Sequence, residues 1–170
     1  MTTFLELAAA RYSVRSFSPK PVEPEKLTQI LEAARLAPTA CNNQPQRIKV
    51  ITGDDGLAKA DECTPCRFNA PVVLLVCYDK NVCWTHPTNS DFASGEVDAS
   101  IATTHLMMAA EDLGLGSCWV MKFDRAKASE AFALPENIVP VAMLPIGYRA
   151  DDATPSGFHS RRVALEKILL

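Results

Sequence analysis

Apolar residues recur along this chain with two different periods. In "VEPEKLTQILEAARLAP" (22–38), Leu27, Ile30, Leu31 and Ala34 fall at i, i+3, i+4 and i+7, which predicts a helix with one apolar stripe. Pro24 suits its first turn, Glu23 and Glu25 suit its N-terminal end, and Pro38 stops it. Ahead of it, "TFLE" (Thr3 to Glu6) forms a capping box, so a short helix runs from Phe4 to about Ala10. "RYSVRSF" (11–17) ends that helix with polar, β-branched and aromatic residues. "RIKVIT" (47–52) alternates and predicts a strand, and "GLAKADEC" (56–63) predicts a turn or two of helix. "PVVLLVCY" (71–78) is continuously apolar and rich in β-branched residues, the pattern of a central strand buried on both faces.

A long polar loop is expected over "DKNVCWTHPTNSDFASG" (79–95). The longest helix is expected within residues 91–116, with Gly114 as its stop. From Ala99 to Ala110 it is nearly apolar all round, which predicts burial in the domain or sharing with a partner subunit. "SCWVM" (117–121) reads as a strand, "DRAKASEAFAL" (124–134) as a helix capped by Asp124, and "IVPVAMLPIGYR" (138–149) as a strand ending in a turn. Helices and strands interleave without a repeat or a linker, so residues 1–170 form one layered α+β or α/β domain.

Composition narrows the function classes. The net charge of -3 gives no general reason to bind nucleic acid or an acidic membrane surface. No apolar run approaches the roughly 20 residues of a membrane-spanning helix, and no targeting signal is visible, so the expected location is cytoplasmic. The six cysteines are read as free thiols. "CTPC" (Cys63 to Cys66) is the only C-x-x-C and has no second pair to complete a zinc site, so no metal is expected. Phosphate-binding glycine loops of the common kinds are missing, and His86, His105 and His159 form no ligand pattern.

Three segments carry unusual chemistry together. "RYSVR" sets Arg11, Ser13 and Arg15 at alternate positions, which an extended chain turns to one face, and two guanidinium groups with a hydroxyl suit a phosphate. "SRR" (Ser160 to Arg162) adds basic groups in the tail. "APTACNNQPQ" (37–46) is an uncharged loop of amide, hydroxyl and thiol side chains between prolines. A flavin mononucleotide asks for these groups: cations for its phosphate, amides for the donors and acceptors along its ring edge, and an arginine beside N1 and O2 to stabilise negative charge.

With "GEVDASIATTHLMMAAEDLGLGSCWV", "LPIGY" and "SRRVALEKIL", these segments resemble the nitroreductase family of FMN-dependent oxidoreductases, in the family's order and over essentially the whole chain. The resemblance implies a three-layer α+β sandwich with a central, mixed but mainly antiparallel sheet flanked by helices, and a homodimer with FMN at the subunit interface. It implies that Arg11, Tyr12 and Ser13 hold the phosphate and ribityl chain, that Arg15 faces the N1/O2 side of the ring, and that Arg162, with Arg161, closes on the phosphate. Pro38, Thr39, Ala40, Asn42 and Gln44 approach the ring from the partner subunit; Val120 and Met121 lie near N5, with a main-chain N–H serving it; Leu144, Pro145, Ile146 and Gly147 flank the cofactor. The implied activity is NADH- or NADPH-dependent reduction of a small electron-poor acceptor, a nitroaromatic or quinone, with ping-pong kinetics and no catalytic side chain. Gln46 stands where the family usually has Trp, and Val120, Met121 and Lys122 replace a glycine-rich stretch, which narrows the space over the ring. The alternatives are a flavin carrier or sensor, a specialised flavin reaction such as reductive dehalogenation, and a thiol-dependent hydrolase or transferase using Cys41 or Cys118 with a histidine.

Overall fold

The computed structural model describes residues 3–170. Helices α1 (Phe4–Ala10) and α2 (Pro24–Arg35) precede strand β1 (Gln46–Ile51), helix α3 (Gly53–Cys63) and strand β2 (Val72–Asp79). A small hairpin, β3 (Thr85–His86) and β4 (Asn89–Ala93), leads into α4 (Gly95–Asp112). Strand β5 (Gly116–Ser117), helix α5 (Arg125–Ala131) and strand β6 (Ile138–Gly147) follow. The main sheet runs β1-β2-β6-β5 with antiparallel ladders, and among the described residues its one parallel pairing is the Ser13–Ser117 bridge to the N-terminal segment.

The pleat of β2 divides the core in two. Val72, Leu74 and Val76 pack with Ile30 and Ala34 of α2 and with Ala99, Ala102, Leu106 and Ala110 of α4. Val73, Leu75 and Cys77 point the other way, toward Ala60 of α3 and Ala128 of α5. Successive side chains on a strand face opposite sides, so an unbroken apolar run is what a strand needs when helices cover both. The result is a three-layer α+β sandwich, as the family resemblance implies; the sequence pattern alone left α+β and α/β open.

Five expectations change. The segment 79–95 is not all loop: Trp84, His86 and Phe92 meet edge to face, with centroids 5.6, 6.1 and 6.4 Å apart, and this cluster holds the β3–β4 hairpin. Helix α4 therefore starts at Gly95, where a Cβ would stand 2.2 Å from the Tyr78 ring. Helix α3 is three turns rather than one or two, and α5 ends at Ala131, short of Leu134. Residues 117–121 do not form a full strand, because the regular ladder ends at Ser117 and the chain stays tied to β6 only by the Cys118 N–H to the Pro145 carbonyl and by the Val120–Met143 bridge.

Helix α4 is not enclosed by its own chain. Asp98, Ala99, Ala102, Thr103, Leu106 and Ala110 are buried, while Val97 and Thr104 on its outer side are exposed. No described helix is long and apolar enough to cross a membrane.

Candidate functional site

The N-terminal segment is extended and laid along β5 and the end of β6. Val14 donates its N–H to the Ser117 carbonyl at 2.9 Å, and Ser18 donates to Tyr148 at 2.9 Å. Gly116 permits this approach, since a Cβ there would lie 2.6 Å from Val14. Val14 is fully buried, and the alternate residues Arg11, Ser13 and Arg15 line one cavity of about 260 Å³. Tyr12, Ser156, Phe158, His159 and Arg162 complete its wall, so the described lining holds three guanidinium groups and no carboxylate. That donor set matches a phosphate group. Tyr12 is held from behind by the Arg149 guanidinium, 5.2 Å from its ring, and His159 meets Tyr12 edge to face at 6.0 Å. Arg161 is not in the lining; its guanidinium lies 4.9 Å from the Phe158 ring.

Ser156, Phe158 and His159 were missed in the sequence. They reach the cavity because the chain after β6 turns back on the N-terminal segment, tied by Ser16 Oγ–H to Asp152 at 2.9 Å and by Tyr12 O–H to the Ala153 carbonyl at 3.2 Å. The only local signal was their place just before "SRR".

The amide loop forms a separate structure, and none of its residues lines the arginine cavity. Cys41, Asn42 and Gln44 have φ of 53°, 55° and 53°, three non-glycine residues in the left-handed region within four positions. Such residues cost on the order of 1–3 kcal/mol each and persist only where the surroundings dictate them. Here Gln44 N–H donates to Thr39 Oγ at 3.0 Å, Asn42 N–H to Thr39 O at 3.0 Å, and Ala40 N–H to the buried Asp98 carboxylate at 2.9 Å. Asn43 Nδ2 donates to Val82 O at 3.1 Å. Pro38, Asn42 and Gln44 are left exposed at the surface, with Thr39 and Ala40 half-buried.

The remaining predicted positions divide. Val120 exchanges main-chain hydrogen bonds with Met143 at 2.9 and 3.0 Å, so its N–H is taken. The Met121 N–H has no partner among the described residues, and its side chain is 63 % exposed. Leu144 and Ile146 send their side chains into the α2–α4 core, Pro145 and Gly147 are buried, and none of the four lines the arginine cavity. The Pro145 carbonyl accepts the Cys118 N–H at 3.2 Å.

The thiols do not form a nucleophilic site. Burial pushes the Cys63 and Cys118 thiols up and carries Cys77 to about 12, so these three hold their protons at neutral pH. Among the described residues no cysteine is hydrogen-bonded to a histidine, and all six thiols are free.

A three-layer α+β sandwich that carries a cationic cavity and, separately, a strained, uncharged loop defines the class, and comparison with known proteins defines the family. The sequence pattern of the nitroreductase family matches residues 8–64 and 58–148. A nitroreductase family protein of Clostridium difficile 630 is 39% identical and superposes with a TM-score of 0.92, covering 99% of this chain and 98% of that one. A Methanothermobacter thermautotrophicus protein, provisionally named NADH dehydrogenase/NAD(P)H nitroreductase, is 30% identical over 176 residues, 96% of this chain and 86% of its own. An FMN reductase [NAD(P)H] of Bacillus subtilis is 31% identical over 156 residues, 82% of this chain and 63% of its own. The chain belongs to the nitroreductase family.

Proposed function

We propose that this chain is an FMN-dependent NAD(P)H oxidoreductase that works as a homodimer. The observation that carries the reading is the cavity with Arg11, Ser13, Arg15 and Arg162 on its wall and no carboxylate among its described lining, in a chain of this family. The donor set fits the phosphate of FMN: guanidinium groups supply paired N–H donors and positive charge, and the serine hydroxyl supplies a further donor.

Arg11, Tyr12 and Ser13 hold the phosphate and ribityl chain, and Arg162 closes over them. Arg15, at the end of the same alternate row, faces the N1/O2 side of the ring, where a fixed cation stabilises charge gained on reduction. When bound, FMN would supply the two-electron redox chemistry between NADH or NADPH and an electron-poor acceptor, and one site used in turn by both predicts ping-pong kinetics. The free Met121 N–H is the main-chain donor for N5, in place of the engaged N–H of Val120.

The second copy has surfaces to meet. The outer side of α4 and helix α1 enclose a largely apolar cavity of about 460 Å³ lined by Phe4, Leu7, His105 and Met108. Phe4 and Leu5 are 70 and 78 % exposed, and the tail presents Val163, Leu165, Ile168 and Leu169 to solvent. Apolar surface on this scale calls for a partner. In the proposed dimer the amide loop of one copy serves the flavin held in the arginine cavity of the other.

Titration of the cofactor-free chain with FMN, followed by flavin fluorescence, tests the site. Arg11→Ala and Arg15→Ala should each weaken binding about tenfold or more, the scale of one lost charge-assisted hydrogen bond. Affinities equal to that of the parent chain would remove the cavity from the account.

A further inference from the structure

The amide loop is set by a residue that lies outside it and 58 positions away in sequence. We infer that Asp98 is a positioning residue for cofactor binding, holding the loop in its left-handed conformation through the Ala40 N–H. The inference rests on reading the loop as the clamp on the flavin ring edge.

Three observations converge on Asp98. It is 1% exposed, in the first turn of α4, and Ala99 beside it is in the core, so the carboxylate has a fixed origin. One oxygen accepts the Ala40 N–H at 2.9 Å, at the point where the loop enters its left-handed run, and the other accepts Ser94 Oγ–H at 2.7 Å. Ser94 Oγ in turn accepts the Trp84 N–H at 3.1 Å. A chain of hydrogen bonds thus joins the aromatic hairpin, the start of α4 and the amide loop, and such buried chains polarise and rigidify one another. The other tie from the left-handed stretch to a distant element is the exposed Asn43–Val82 bond, which water can replace.

A carboxylate is the right group here because it only accepts, and both of its partners, the Ala40 main-chain N–H and the Ser94 O–H, donate. Asparagine can keep the arrangement, with its oxygen on the Ala40 N–H and its NH₂ on a lone pair of Ser94. Leucine has similar volume and leaves the Ala40 N–H without an acceptor.

The test uses the full chain, with amide hydrogen exchange of the cofactor-free protein and FMN affinity measured side by side. Asp98→Leu should speed exchange across residues 39–44 about tenfold relative to the rest of the chain and weaken FMN binding about tenfold. Asp98→Asn should stay within about threefold of the parent in both. Thr103→Val removes another buried hydroxyl of α4, one that bonds only within the helix, and should leave loop exchange and FMN affinity within about threefold. The inference is overturned if Asp98→Leu raises exchange uniformly, as a general destabilisation would, with FMN affinity unchanged. Should the leucine variant fail to fold, Asp98→Ala, which removes the same acceptor, decides: faster exchange confined to residues 39–44 supports the inference, and an unchanged loop refutes it. If the parent chain takes up no FMN, the proposed function falls, while loop exchange still decides what Asp98 does.

Discussion

Val14 is buried and its neighbours Ser13 and Arg15 face the cavity, so single-residue alternation separates core from site around Val14, although Tyr12, two positions back, also reaches the cavity wall. That alternation was legible because an extended strand has a period of two whatever surrounds it. Asp98 was not legible: in sequence it is one more acid at the start of a helix, and only tertiary packing puts the Ala40 N–H beside it. Cys77 gives a residue-scale prediction on pH. Its thiol is raised from 9.0 to about 12 by burial. Above pH 9.0 the unfolded chain releases this proton while the folded chain keeps it, so stability present below that pH is lost as the pH climbs toward about 12. Urea midpoints taken at about pH 8 and about pH 10 should therefore fall further for the parent than for Cys77→Ala. Equal falls would contradict the burial effect.

At the level of elements, β2 and α2 were readable because each has one period that packing does not override. The β3–β4 hairpin was not, since its hold is an aromatic cluster between residues up to eight apart rather than a run of alternating apolar positions. The start of α4 was misplaced for the same reason: the hairpin claims residues 89–93, and the helix begins where Gly95 lets Tyr78 close in. Gly95→Ala should accordingly cost about 1–3 kcal/mol in denaturant unfolding, the usual range for overpacking. Gly157→Ala, with nothing within 4 Å of the added carbon, should leave stability unchanged and serves as the reference. A Gly95→Ala chain as stable as that reference would mean Tyr78 is free to move aside. In the central strand, Leu74→Ala should lose about 2–5 kcal/mol by the same measurement, as for other fully buried leucines. A loss under about 1 kcal/mol would mean that the α2–α4 layer collapses into the space.

For the whole molecule, α4 is buried on one side, where Ala99, Ala102, Leu106 and Ala110 join the core, and exposed on the other, where Val97 is 52 % exposed; the proposed function assigns that outer side to a second copy. Sedimentation equilibrium should give a dimer for the parent, and Val97→Glu combined with Phe4→Glu should shift it toward monomer by placing charge in an apolar interface. A parent chain that sediments as a monomer at all concentrations would contradict the assembly and with it the supply of the amide loop from the partner. The site depends on both copies in this account, so monomeric variants should also bind FMN more weakly. The most direct measurement is the visible spectrum of the FMN-loaded protein under anaerobic conditions, followed on addition of NADH and, separately, NADPH. Flavin absorption from the loaded protein should be bleached by at least one of the two nucleotides and restored by an electron-poor acceptor. A protein that takes up no FMN, or holds it without reduction by either nucleotide, would contradict the assignment as an FMN-dependent NAD(P)H oxidoreductase.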